Sequence, residues 1–490
     1  MKGWIALAAS AVVFGLVATA NSGGYRFGIS DQAYYEPAVA KLVDPTLFPR
    51  DTALLDVQSK FLGSVHLLAG IARATGADLP AVFGVTYVVT TAGLFAASLV
   101  LARRLGLSWW AAAGFLVLLT LRHRIAKTGA NSLEGYMHPR MIAFVCGVAA
   151  CAVCLRGRVA WAAGWTALAG VMHPTTALWF AIVVSAATFV ARPAWRRPII
   201  LTLAVGLAGG IWLLVTGPLA GRARIMDADW LGVLADKDYL FPTGWPAYAW
   251  LLNLAYPAVI GLIYRQRRRD GALVAGEDAL VAGVLALVAV FLASVPLTMA
   301  RLALAVQLQI NRVFWLADFF AIAYVAWWLI DRRPSPRVRA AIVAALAVAA
   351  SARGAYVLRV EADRQLVQID LPATTWVQAL AWLRTQPAAW QVLADPGHAW
   401  KYGLSVRVGA HRDTWLELGK DASMAMYDRD VAMRVRERAA ALGDFAGMDA
   451  AALRALAARA HLDVLVDQRT RPLDLPVLYR NADFVVYDLR

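Results

Sequence analysis

The sequence predicts a mainly α protein: a polytopic membrane helix bundle of about 11 spans with an outward-facing C-terminal α/β domain. Three observations predict it. The 490 residues are 60% hydrophobic and only 17% charged, where soluble domains carry about a quarter charged residues. Apolar stretches of membrane-spanning character recur across the first 355 residues. From residue 356 onward, 17 basic and 17 acidic residues balance, so the net charge of +15 lies wholly in the apolar part. A mean hydropathy of +0.56 excludes a disordered chain, a collagen and a purely soluble enzyme. The three cysteines, Cys146, Cys151 and Cys154, share one apolar stretch and form no disulfide framework. Cys151 and Cys154 spell CxxC, but in an apolar helix that spacing is small-residue packing.

Each span follows from its apolar run. The expected segments are 4–20, 80–102, 109–121, 141–155, 199–218, 247–264, 279–300, 313–330 and 338–355. Residues 159–190 add two short helices that turn at His173-Pro174. Sixteen basic residues, from Lys2 through Arg103, Arg156, Arg197 and Arg267 to Arg339, fall in alternate short loops. Cytoplasmic loops collect Lys and Arg in this way, so the excess charge reads as topology and not as a nucleic-acid surface. The first loop (21–79), the 222–245 loop and the tail then face outward. Reporter fusions after Arg104, Arg158, Arg197, Arg269 and Arg333 are expected to report cytoplasm and fusions in the tail the outside; a cytoplasmic tail would overturn this topology. Arg122, Arg124 and Lys127 break the pattern on the outward side, and topology does not explain them. The first span is expected to be an uncleaved signal anchor, although Ala18-Thr19-Ala20 would also suit a cleavage site.

Two domains are expected: 1–355, with its long outward loop, and 356–490. In the tail, 391–394 and 463–467 read as buried strands, and 477–479 with 484–487 as a hairpin. Residues 424–441 and 448–460 have helical character. No Gly-rich phosphate loop follows a strand, so no nucleotide site is expected. Lys401, Arg407, His411, Arg412, Asp413, Glu417 and Lys420 cluster in sequence and read as a solvated, salt-bridged face, with a binding patch as the alternative.

The first outward loop offers the most chemistry. It runs Ser30-Asp31-Gln32-Ala33-Tyr34-Tyr35-Glu36-Pro37, and later Leu47-Phe48-Pro49-Arg50-Asp51. Pro37 suits the first position of a short helix. Asp31, just before it, could take a proton from a hydroxyl at the membrane surface or simply cap the helix; Glu36 is either cavity-lining or surface. His138 and Arg140 open the fourth span, and His173 marks a helical turn at the same expected depth as Lys127. Such cations and imidazoles suit a phosphate headgroup, while the plain alternatives are helix caps and an interface anchor. Asp318, inside the 313–330 span, could line a cavity or pair with Arg312 or Arg301. No histidine spacing fits a metal, and no cofactor is expected.

With these features in place, the chain resembles the C-type superfamily of integral membrane glycosyltransferases. The resemblance rests on the overall plan, on Asp31 in its Ser-Asp-Gln-Ala-Tyr-Tyr-Glu-Pro setting, on Leu47–Asp51, and on the His-Pro of Val171-Met-His-Pro-Thr-Thr-Ala177. It implies a polyprenyl-phosphate sugar donor within membrane lipid, a glycan, lipid or protein acceptor, and Asp31 as the catalytic or acceptor-positioning carboxylate. It implies activity at the outer face of the cytoplasmic membrane. The chain lacks the Asp-Glu pair of the protein O-mannosyltransferases and the Trp-Trp-Asp of the oligosaccharyltransferases, so Asp31 alone is carried over. A transporter or lipid flippase, expected to show internal repeats, and a scaffold that binds partners through its tail are the rival readings.

Overall fold

The computed structural model describes residues 2–490; the Lys2 side chain, counted in the topology signal, lies outside the described atoms. Among the described residues, eight helices are long and apolar enough to cross a membrane, and three shorter apolar helices accompany them. The eleven are α1 (Lys2–Asn21), α2 (Leu79–Arg104), α3 (Trp109–Leu119), α4 (Pro139–Cys154), α5 (Val159–Met172), α6 (Pro174–Ala191), α7 (Arg196–Val215), α8 (Ala247–Arg269), α9 (Glu277–Met299), α10 (Val313–Ala326, the central part of the long span Ala303–Asp331) and α11 (Pro336–Tyr356). They occupy the positions of the expected apolar segments. The chain is a multi-pass helical membrane protein, a form in which each helix satisfies its own backbone polar groups in lipid.

The chain divides into two compact units. The first comprises residues through Tyr25, Thr86–Met226 and Lys237–Val367. Its centre is α10, buried at every residue from Val313 to Ala321. The Trp315 ring stacks on Phe144 of α4 with centroids 4.1 Å apart. By contrast, α7 buries no residue. Gly283 brings α9 close against α6: a Cβ there would lie 2.4 Å from the Val183 carbonyl oxygen, the kind of approach small residues permit between membrane helices. Arg267, counted in the sequence as a short-loop charge, lies in the last turn of α8 and is buried. Its Nε lies 2.7 Å from Glu277 Oε1, and its Nη2 donates to the Leu105 carbonyl at 2.7 Å.

The second unit comprises Arg26–Val85, Asp227–Asp236 and Gln368–Arg490. It folds the tail together with most of the first loop. Its five-stranded sheet has β1 (Gln391–Ala394), β2 (Asp413–Thr414), β3 (Val464–Gln468), β4 (Val477–Arg480) and β5 (Phe484–Asp488), in the order β2-β1-β3-β5-β4. β1 is parallel to β2 and β3, while β5 runs antiparallel to β3 and β4. β1 is buried along its whole length, as continuous apolar runs with both faces covered should be.

The loop helix starts earlier than Pro37 predicts. It spans Gln32–Val43, with Pro37 in its interior. A proline there removes one helical hydrogen bond, yet Gln32 through Ala40 are all buried, and that packing outweighs the local penalty.

Candidate functional site

In the second unit, Asp31 immediately precedes the Gln32–Val43 helix. Its backbone is helical (φ −72°, ψ −11°), and its side chain accepts no capping hydrogen bond. A capping residue has extended backbone and accepts from an N–H two or three residues on, so the cap reading is corrected. The carboxylate instead lies 2.8 Å from Lys420 Nζ and is 41% exposed. It is a reachable carboxylate held by a cation from the opposite end of the sequence.

Glu36, one helical turn further on, is buried, not surface. His411 Nε2 lies 2.9 Å from its Oε1. On the other side of that ring, Arg384 Nη2 lies 3.1 Å from Nδ1. A guanidinium can only donate, so Nδ1 accepts and Nε2–H donates to Glu36. Arg384, His411 and Glu36 therefore form a chain of fixed polarity.

The charge cluster at 401–420 is corrected as well. Arg407, His411, Arg412, Asp413 and Glu417 are buried. Arg407 Nε donates to Asp51 Oδ2 at 2.7 Å, and its two terminal nitrogens donate to Asp421 at 2.6 and 3.1 Å. Asp51 also pairs with Arg434. Burial opposes ionisation of Asp51, but Arg407 and Arg434 outweigh it and hold its carboxyl below the usual range. Asp413 accepts the backbone N–H groups of Arg50 and Asp51, each at 2.9 Å. Burial and the neighbouring Asp51 charge push its carboxyl up to about 6. The Leu47–Asp51 motif thus anchors the first loop to the tail.

In the first unit, two helix N-termini each end in a histidine. His138 caps α4, its Nδ1 accepting the Arg140 N–H at 3.2 Å. His173 caps α6, its Nδ1 accepting the Thr176 N–H at 3.3 Å. With Nδ1 accepting, each neutral ring carries its proton on Nε2. The ring centroids are 6.5 Å apart. Positive helix ends and N–H donors together favour an anion. Arg140 is itself buried and paired with buried Glu134, and Lys127 pairs with Asp238. A cavity of about 20 Å³, roughly one water's room, touches His138, Glu134, Tyr87, Thr91 and Ser22.

Asp318 is paired neither with Arg312 nor with Arg301: its Oδ1 lies 3.1 Å from His123 Nε2. His123 Nδ1 is 2.9 Å from the Leu121 carbonyl, which can only accept, so Nδ1 carries a proton. A second proton must then lie between Nε2 and Asp318. The Asp318 hydrogen bond raises the His123 pKa above its ordinary value, against burial and the Arg353 charge. This contribution to stability is present at low pH and fades as pH rises through the raised value. Asp318→Asn is expected to bring the His123 imidazole back toward its ordinary range in an NMR titration; an unmoved midpoint would remove Asp318 as the cause.

Sequence reading missed Glu134, Asp238 and His123 as partners. Only the unexplained basic residues around His123 marked that loop.

Neither a protein-family model nor a curated protein matches the sequence. Among solved structures, the chain is similar to the archaeal oligosaccharyltransferase AglB from Archaeoglobus fulgidus, solved with an inhibitory peptide and a dolichol-phosphate. The TM-score is 0.45 at 13% identity, covering 95% of this chain and 69% of that one. A similarity that weak transfers no residue's role.

Proposed function

We propose that the chain is a membrane glycosyltransferase that moves a sugar from a polyprenyl-phosphate donor to a hydroxyl acceptor at the outer face of the cytoplasmic membrane. The observation that carries this reading is Asp31, a partly exposed carboxylate without a capping bond and held by Lys420. In the reaction, the acceptor oxygen attacks the anomeric carbon and its proton passes to Asp31. The bond from the anomeric carbon to the phosphate oxygen breaks, and its electron pair leaves with the polyprenyl phosphate.

Within the first unit, taken by itself, the two histidine-capped helix ends are the candidate phosphate site. Imidazole N–H groups and helix dipoles stabilise the charge that develops on a leaving phosphate. Because Glu134 already neutralises Arg140 and Asp238 already holds Lys127, His138 and His173 carry more of this role than the two cations.

The test uses the full chain in nanodiscs with a panel of polyprenyl-phosphate sugars and hydroxyl acceptors, with products read by mass spectrometry. Sugar transfer supports the reading. Transbilayer movement of the intact donor without transfer would favour a transporter instead.

A further inference from the structure

A groove of about 550 Å³ runs along the first unit between α1, α2, α3 and α11. Its lining is almost wholly apolar: Phe14 and Val17 on α1, Phe95 on α2, Leu116 on α3 and Ala350 on α11 represent it. The rim residues Val13 and Trp109 are exposed. The groove follows α1 from Ala6 to Val17 and α3 from Trp109 to Thr120. At ~1.5 Å per residue each stretch is roughly 17 Å long, about half of a ~30 Å hydrocarbon core. That is a length one acyl chain can fill.

The polar end of the groove is at Thr120 and Ser351. Two residues beyond each stands an arginine, Arg122 and Arg353. Asn21 ties this end together, donating to the carbonyls of the lining residues Val17 and Ala350, each at 3.0 Å. Arg353 donates to the Asn21 side chain at 2.6 Å and to the Arg122 carbonyl at 2.9 Å. Arg122 donates to the Leu133 carbonyl at 3.1 Å. These acceptors are neutral. Among the described residues, Arg122 and Arg353 have no carboxylate partner, whereas the buried Arg140, Arg267 and Arg407 each have one. Topology left Arg122 unexplained; an apolar groove ending in uncompensated guanidinium groups explains it.

We propose that the groove holds one acyl chain of an anionic phospholipid, with the lipid phosphate at the Thr120–Ser351 end against Arg122 and Arg353. Guanidinium groups bind phosphate oxygens bidentately, and the groove supplies the apolar contact. The site is independent of the glycosyltransferase reading and stands whether or not sugar transfer is found.

The experiment places the full chain in phosphatidylcholine nanodiscs and titrates a photoactivatable phosphatidylglycerol, with crosslinked peptides mapped by mass spectrometry. Crosslinks are expected on α1, α3 and α11. A basic residue near an anionic lipid surface contributes about fivefold in affinity, so the double variant Arg122→Gln, Arg353→Gln should lower apparent affinity about 25-fold. Should that variant misfold through loss of the Asn21 tie, Ala347→Phe fills the groove with both arginines intact and should likewise suppress crosslinking. Arg353→Lys, which keeps the charge, should fall between wild type and the double variant. Equal labelling by a phosphatidylcholine probe would overturn the proposal, as would wild-type labelling in the Ala347→Phe variant. So would displacement of the probe by unlabelled polyprenyl phosphate but not by unlabelled phosphatidylglycerol, which would assign the groove to a different lipid.

Discussion

Arg407→Met is expected to destabilise the second unit by about 3–5 kcal/mol, the usual consequence of removing one partner from a buried ion pair. The reason is what it leaves behind. Asp51, Asp421 and Glu417 are all buried, and Arg407 lies 2.7 Å from Asp51, 2.6 Å from Asp421 and 3.8 Å from Glu417. Methionine fills much of the volume but answers none of the three charges. For a unit of this size, that loss lowers the melting temperature by roughly 10 °C. Because Arg434 also holds Asp51, the loop motif should loosen without detaching completely. A thermal melt of the full chain in detergent, followed by the fluorescence of Trp415 and its neighbours, reads the shift. An unchanged midpoint would show that Arg407 does not hold the loop and tail together.

The second large effect is on chemistry. Asp31→Asn is expected to lower sugar transfer by about 10²–10⁴-fold, the range a general base contributes. Asparagine keeps the size of the side chain but cannot accept the acceptor's proton. Stability should hardly change, for two reasons. The side chain makes no capping bond to lose, and its ion pair with Lys420 is partly exposed, where such pairs contribute about 0–1 kcal/mol. Lys420→Met removes that partner while keeping the carboxylate, so it should reduce transfer less than Asp31→Asn does. An equal loss in both would mean that the charge pair, and not the carboxylate's basicity, matters.

The bundle was legible because membrane helices are written locally: long apolar runs and basic loops suffice. Strands β1 and β3 and the β4–β5 hairpin were legible for the same reason, as short buried runs bounded by turn signals. The charged cluster was misread because its partners are distant. Nothing near Arg407 announces Asp51, which lies 356 positions away; only the folded chain shows that a solvated face would waste those charges. Pro37 misled in another way, since a local preference gave way to burial of the whole helix. The two His-Pro sequences read correctly as helix breaks, but the Glu134 beneath Arg140 and the His123 against Asp318 carry no sequence signature. Their pairings depend on how loops close over α4 and α10, and spacing along the chain does not encode that.

The most direct test of Asp31 as the base is a single-turnover measurement. Wild type and Asp31→Asn, in matched nanodiscs, would be loaded with a radiolabelled polyprenyl-phosphate sugar that the wild type uses, then mixed with acceptor. Donor binding is measured alongside. The expected result is equal donor binding in both and labelled product only, or overwhelmingly, from the wild type. Transfer by Asp31→Asn at the wild-type rate, with donor bound equally, would contradict the assignment and leave the carboxylate as no more than a partner for Lys420.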